Sequence, residues 1–284
     1  MTRRYCDAVA ALLALASSMM WGTADFLGGV LSRRLPPLAV YGISQMIGFV
    51  LLVALATARG GWAAPPDYWL WAIAGSLAGL VGMVAFYGAL AIGPMGLISP
   101  FVSLSVLVPL GVGLLRGEAP GSVAMLGIVL AIVGILLASG PELSGAESAR
   151  PLVLAGIATA SFGAMFVFMA EGSARNPLMT MTGMRVTTAV IFVAVLLKVR
   201  NFGGARPRDL LPLAIIGVFD AAANVAFGYS TTLGLLSTTS VLGDLYPVMT
   251  AVLAAIILRE RLRPVQYAGV AAALTGVLLI SAGG

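Results

Sequence analysis

The sequence has no histidine and a single cysteine, Cys6, among its 284 residues. That absence excludes imidazole-based catalytic triads, His/Cys metal clusters and an intrachain disulfide. Charge is scarce too: Asp, Glu, Lys and Arg make up 10% of the chain, against about 25% in soluble domains. No Walker-type glycine loop is present, which sets aside ATP-driven chemistry. No run alternates apolar and polar residues, which sets aside a membrane barrel. The net charge of +5 and the pI of 9.8 are scattered over short loops. No basic patch is interleaved with aromatics, so no nucleic-acid partner is expected. No cofactor or metal is expected either.

What fills the chain is apolar, with 60% hydrophobic residues and a mean hydropathy of +1.04. A soluble core of this size cannot bury so much apolar surface, so the solvent must be lipid. The apolar stretches are Ala8–Leu31, Leu38–Thr57, Tyr68–Ile92, Leu97–Leu115, Gly121–Ser139, Pro151–Ala170, Leu178–Leu197, Leu210–Thr232, Leu235–Leu258 and Val265–Ala282. A helix needs about 20 residues to cross hydrocarbon, and only a helix satisfies its own backbone there. The sequence therefore reads as an all-α integral membrane protein with ten transmembrane helices. Arg3-Arg4 and Ala8–Ser17 mimic a signal peptide, but the apolar run continues to Leu31. That is too long for a cleaved segment, so an uncleaved first span is expected.

A shift of 142 residues, half of 284, lays the first five stretches on the last five without a gap. Glu118, Val123, Gly127, Ala131 and Gly134 meet the identical Glu260, Val265, Gly269, Ala273 and Gly276. The glycines recur at i and i+7, on one helix face, where small residues admit a close neighbour. Tyr87 likewise meets Tyr229. Five is odd, so if every stretch crosses, the second copy is inverted. The expected units are residues 1–142 and 143–284, two five-helix repeats forming one structural unit around the Gly140–Arg150 loop. Inverted repeats are the architecture of secondary carriers, with the site near midplane between the halves.

Three patterns carry a family resemblance. One is Trp21-Gly22 with Phe26, and another is Tyr87 followed by Leu90…Pro94. The third is a proline-bearing helix closing in Glu with Gly nine residues on: Pro109…Arg116-Gly117-Glu118…Gly127, then Tyr246-Pro247…Arg259-Glu260…Gly269. In these features the chain resembles the drug/metabolite transporter superfamily, in its ten-helix EamA-type branch, over nearly its whole length. The resemblance implies export or exchange of a small metabolite across a plasma membrane, with both termini cytoplasmic. It names no substrate.

Ionisable groups inside hydrocarbon are costly and point to function. Asp25, Arg185, Asp220 and Asp244 fall inside the spans. At about 1.5 Å per residue, Asp220 lies near midplane, and Arg185, Asn224 and Asp244 share a level slightly toward the side of the N-terminus, side A. Asp25 lies farther toward side B. Arg185 and Asp244 are expected to pair at the substrate site. Asp220 and Asn224, four apart, share a helix face, as do Trp21 and Asp25. An Arg among acids suits a zwitterion, with guanidinium for its carboxylate and Asp for its ammonium. The alternatives are a fixed structural pair, and for Asp25 and Asp220 a local cap. Asp25 and Asp220 are also the candidates for proton coupling. Pro100, Pro109 and Pro247 interrupt spans four and nine, where a kink is either a gate or only a bend. Glu118 and Glu260 read as structural groups at the membrane edge, and Phe162, Phe166 and Phe227 as packing.

Lys and Arg number 5 near side A and 10 near side B. The positive-inside rule then places the termini outside, whereas the resemblance implies cytoplasmic termini. Arg3-Arg4 before the first span favours the latter. The overall reading is a carrier and not an enzyme, working by alternating access on an amino acid or related amine. Cationic drug or multidrug efflux and sugar or nucleotide-sugar transport are the alternative cargoes, and a channel or an intramembrane enzyme the alternative classes. The expected partners are the solute and the bilayer, with the protein a monomer or homodimer.

Overall fold

The computed structural model describes residues 2–32, 34–92, 101–138, 149–199, 204–257 and 263–283. Among these, every regular element is helical. The helices are α1 (Thr2–Ser32), α2 (Pro37–Ala58), α3 (Trp69–Ile92), α4 (Leu107–Leu115), α5 (Ser122–Ala138), α6 (Arg150–Ser173), α7 (Pro177–Val199), α8 (Leu210–Leu233), α9 (Leu236–Gly243), α10 (Tyr246–Ile257) and α11 (Pro264–Gly283). Proline opens α2, α7 and α11, where its missing N–H costs nothing. Among the described residues, seven segments are long and apolar enough to cross a membrane, and three more are shorter apolar helices, Ser103–Leu115, Ser122–Ala138 and Pro264–Ile280. Large apolar side chains face outward, as with Leu278 at 70% exposure, which suits a lipid surrounding.

The helix pairings come in twos. α1 packs on α8 as α6 packs on α3, and α2 packs on α8 as α7 packs on α3. α1 also packs on α10 as α6 packs on α4. The largest contact, α5 on α11, is its own counterpart, as is α2 on α7. At the α5–α11 contact the repeated glycines meet. A Cβ on Gly127 would stand 2.7 Å from the Gly276 carbonyl oxygen and the Ile280 nitrogen, and one on Gly276 would stand 2.6 Å from the Ala131 nitrogen. Gly134 faces Ala273, and Gly269 faces Leu137 and Ala138. Residue numbers rise on one helix as they fall on the other, so the two helices run antiparallel. The i, i+7 spacing does what the sequence implied and brings backbone onto backbone.

Spans four and nine are both interrupted. A 3-10 turn at Ser103–Val106 precedes α4, and Asp244-Leu245 separates α9 from α10. Shifted by 142, Ser103 falls on Leu245 and Val106 on Val248. The breaks therefore coincide although the prolines do not. Pro247, in the first turn of α10, has no N–H for the Gly243 carbonyl. Pro109 lies inside α4, beyond its break, and Pro100 lies outside the described residues.

Tyr68 is buried, stacked on Trp69 at 5.4 Å and packed beside Met179. Trp62 is exposed, and its Nε1–H donates to Thr57 Oγ1 at 2.9 Å.

Candidate functional site

A polar centre lies between α2, α7 and α8. Arg185, 8% exposed, projects from α7. Its Nη2 donates to Asp220 Oδ2 on α8 in a close ion pair. Gln45 Nε2, from α2, donates to the same oxygen at 3.1 Å. Asn224, one turn along α8, donates its Nδ2–H to the Asp220 carbonyl at 2.5 Å and to Oδ1 at 3.3 Å. Three donors from three helices thus hold one carboxylate. The helices approach closely there because position 48 is glycine: a Cβ on Gly48 would meet the Gly217 carbonyl oxygen at 3.1 Å and Arg185 Nε at 3.7 Å.

The expected Arg185–Asp244 pair does not form. Depth along a helix axis put the two groups at one level, but level says nothing of azimuth, and Asp220 is the acid that faces α7. Asp244 instead ends α9, fully buried, and neither carboxylate oxygen has a hydrogen-bond partner among the described residues. Asp220 is likewise no local cap; its carboxylate is shared across helices.

Trp21 on α1 stands among Phe166, Phe227 and Tyr246, with ring centroids 5.7, 5.6 and 6.5 Å away. Phe166 and Phe227 are themselves buried and 5.1 Å apart, which agrees with packing. Asp25 lies one turn beyond Trp21. Its side chain is exposed, yet within electrostatic reach of Asp220 and Tyr246. Those neighbours put it on the inner side of α1, against open space. On the same face, Gly28 and Gly29 have nothing within 4 Å of an added Cβ. This face of α1 is therefore uncovered among the described residues.

Side A is bridged by charge. Glu118 Oε1 accepts from the Leu236 N–H and Oε2 from the Ser237 N–H, both at 2.8 Å. The first repeat thereby caps the N-terminus of α9 in the second, a favourable place for a carboxylate. Arg116 pairs with Glu171, and Arg175 reaches Asp67 at 3.7 Å while lying over the Trp71 ring at 5.0 Å. On side B, Arg34 pairs with Asp209 at 2.8 Å. The structural role expected of Glu118 holds, and the helix it caps lies across the molecule. Glu260 lies outside the described residues.

The sequence reading missed Gln45. The signal available was a lone side-chain amide inside an otherwise apolar span, with no charged residue one turn away.

Chemically, the centre offers a cation with spare donors. Arg185 has five N–H groups, and its Nε and Nη1 have no protein partner among the described residues. That leaves an edge of the guanidinium free for a carboxylate. Asp25 and the Trp21 face supply a setting for an ammonium.

Comparison with known proteins follows the same lines. The profile of the EamA-like transporter family matches twice, over residues 8–140 and 150–282. The second match is offset from the first by 142 residues (150 minus 8). An uncharacterised protein of Pseudomonas aeruginosa, PA1977, is 32% identical over 79% of this chain and 74% of its own. An uncharacterised transporter of Bacillus subtilis, YvbV, is 25% identical over 95% of this chain and 91% of its own. One solved crystal structure superimposes with a TM-score of 0.79 at 16% identity, over 95% of both chains, which speaks for the fold alone. This multi-pass membrane protein belongs to the EamA-like transporter family.

Proposed function

We propose that the protein is a secondary carrier for an amino acid or related amine, working by alternating access at the polar centre. The observation that carries this is Arg185: a buried guanidinium, fixed by Asp220 on one edge and, among the described residues, unpartnered on the other. A carboxylate is the complementary group for such a fork. Asp25 and Trp21, on the open face of α1, receive the amine. Asp220 and Asn224 hold the Arg185 edge in place.

In this reading the chain crosses the membrane ten times, as two inverted five-helix repeats meeting near residue 142. The bridges at Glu118, Arg116 and Arg175 close side A, while the face along Asp25, Gly28 and Gly29 is open. Transport exchanges these two conditions. The paired breaks before α4 and between α9 and α10, with Pro109 and Pro247, are the flexing points; Pro100 is kept with them on sequence grounds. The protein exports from the cytoplasm across the plasma membrane, with both termini cytoplasmic, as a monomer or homodimer. Labelling Cys6 from one side of sealed vesicles tests the orientation: modification from outside alone would reverse it.

Counterflow in proteoliposomes tests the cargo. Vesicles preloaded with amino acids should concentrate labelled amino acid transiently, and vesicles preloaded with sugars or organic cations should not. Exchange of a sugar or cation pool with silence from amino acids would remove the proposed substrate. Arg185→Lys keeps the charge but not the fork, and should raise the half-saturating concentration.

A further inference from the structure

We propose that the break at Asp244 binds a monovalent cation, a proton or Na+, at a place distinct from the Arg185–Asp220 pair. Two groups at the C-terminal end of α9 carry the argument. Ser240 and Asp244 lie one turn apart, and both are buried. Ser240 Oγ and both carboxylate oxygens of Asp244 lack hydrogen-bond partners among the described residues. A buried carboxylate with nothing beside it is strongly unfavourable, so some positive group must accompany it. Arg185, the arginine of the polar centre, is already engaged by Asp220.

The backbone adds more oxygen. The Asp244 N–H still bonds to the Ser240 carbonyl at 2.9 Å, and the ladder resumes with the Met249 N–H to the Leu245 carbonyl at 3.3 Å. Between them, the carbonyls of Val241, Leu242 and Gly243 receive no i+4 N–H, and Pro247 has none to give. These carbonyls form the negative end of the α9 dipole. Membrane carriers coordinate Na+ or H+ with unwound carbonyls and the C-terminal ends of half-helices, and here a carboxylate and the Ser240 hydroxyl stand beside them.

Among the described residues, the elements packed around Asp244 bring no competing cation. From α10 comes the Tyr246 phenol, and from α1 come Asp25, in electrostatic reach of that phenol, and the Ser17 hydroxyl beside Gly243. From α8 come the Phe227 ring against Gly243 and, farther along, Asp220 and Asn224. α4 and α5 carry no ionisable residue, and Glu118 sits at the opposite end of α9. The equivalent position in the first half is Val102, so the site belongs to one half alone. Coupling of this cation to transport would rest on the carrier reading; its binding does not.

The test uses the purified full-length protein in nanodiscs, without any solute. Infrared difference spectra between acid and alkaline pH report a protonated carboxyl. Melting in NaCl against choline chloride, at equal ionic strength, reports Na+. The proposal expects a protonated-carboxyl band, or a Na+-specific rise in Tm, that is lost in Asp244→Asn. An Asp244→Asn protein that folds and keeps the wild-type band and Na+ response overturns it, as does a wild type showing neither signal. Should that variant not fold, Asp25→Asn and Asp220→Asn decide. A signal surviving in both supports Asp244, and its loss in either places the cation there and overturns the proposal. Because no transported solute enters these measurements, their outcome stands apart from the amino-acid reading.

Discussion

At the α5–α11 seam each close contact has a counterpart 142 residues away, whereas the polar centre has none. Gly134 against Ala273 is returned by Gly276 against Ala131, and Gly127 against Ile280 by Gly269 against Ala138. The residues matching Arg185, Asp220, Asn224 and Asp244 are Ile43, Ala78, Gly82 and Val102. Those matching Trp21 and Asp25 are Gly163 and Val167. Even the space is used differently: at Gly82, the counterpart of Asn224, the Phe162 ring lies where a Cβ would go, at 2.7 Å. Packing asks only for volume and close approach, and both halves can meet that demand alike. A small solute has no two-fold axis, so the groups that would bind it need not repeat.

The comparison can be broken at several points. Arg185→Ala should have the largest effect, because it leaves the Asp220 carboxylate without a cation, held only by the neutral donors Gln45 and Asn224. A loss of about 3–5 kcal/mol is expected, read as a drop in Tm in detergent. Replacing both partners, Arg185→Met with Asp220→Leu, should recover most of that loss. Next come Gly134→Ala and Gly276→Ala, each pressing a methyl into the facing backbone at a cost of about 1–3 kcal/mol. The two should agree within about 0.5 kcal/mol if distant sites behave alike; a clear difference in Tm would mean that the seam is not two-fold. Glu118→Gln weakens two charge-assisted bonds to α9 and should cost about 1–2 kcal/mol. The same variant should expose a cysteine placed at position 237 to side-A reagents. Gly29→Ala, on the open face of α1, should change stability by less than about 0.5 kcal/mol.

Much of the frame was legible in the sequence because packing follows local composition. Gly127, Gly134, Gly269 and Gly276 declared a close helix contact by spacing alone, and the structure supplies the partner. The interruptions in spans four and nine were both legible from their prolines, but the position of the break at Ser103–Val106 was not, since it falls between Pro100 and Pro109 and contains neither. The candidate site was legible as a set and not as a geometry. Asp25, Arg185, Asp220 and Asn224 were found because ionisable and amide groups stand out against lipid. The partner of Arg185 was misassigned, because rise along each helix fixes depth while azimuth depends on how α7 and α8 are turned toward each other. Gln45 belongs to the same network and was passed over because α2 has no charged residue one turn away to mark it, as Asp220 marks Asn224. The cap from Glu118 to α9 joins residues 118 positions apart, and no local pattern announces such a contact.

The most direct test of the account is counterflow by the Arg185→Met/Asp220→Leu protein beside the wild type, at matched reconstitution and with both proteins shown to be folded by Tm. The account predicts an intact frame and no exchange of labelled amino acid by the double variant. Exchange at the wild-type rate would contradict it, since the polar centre would then serve the fold and not the solute.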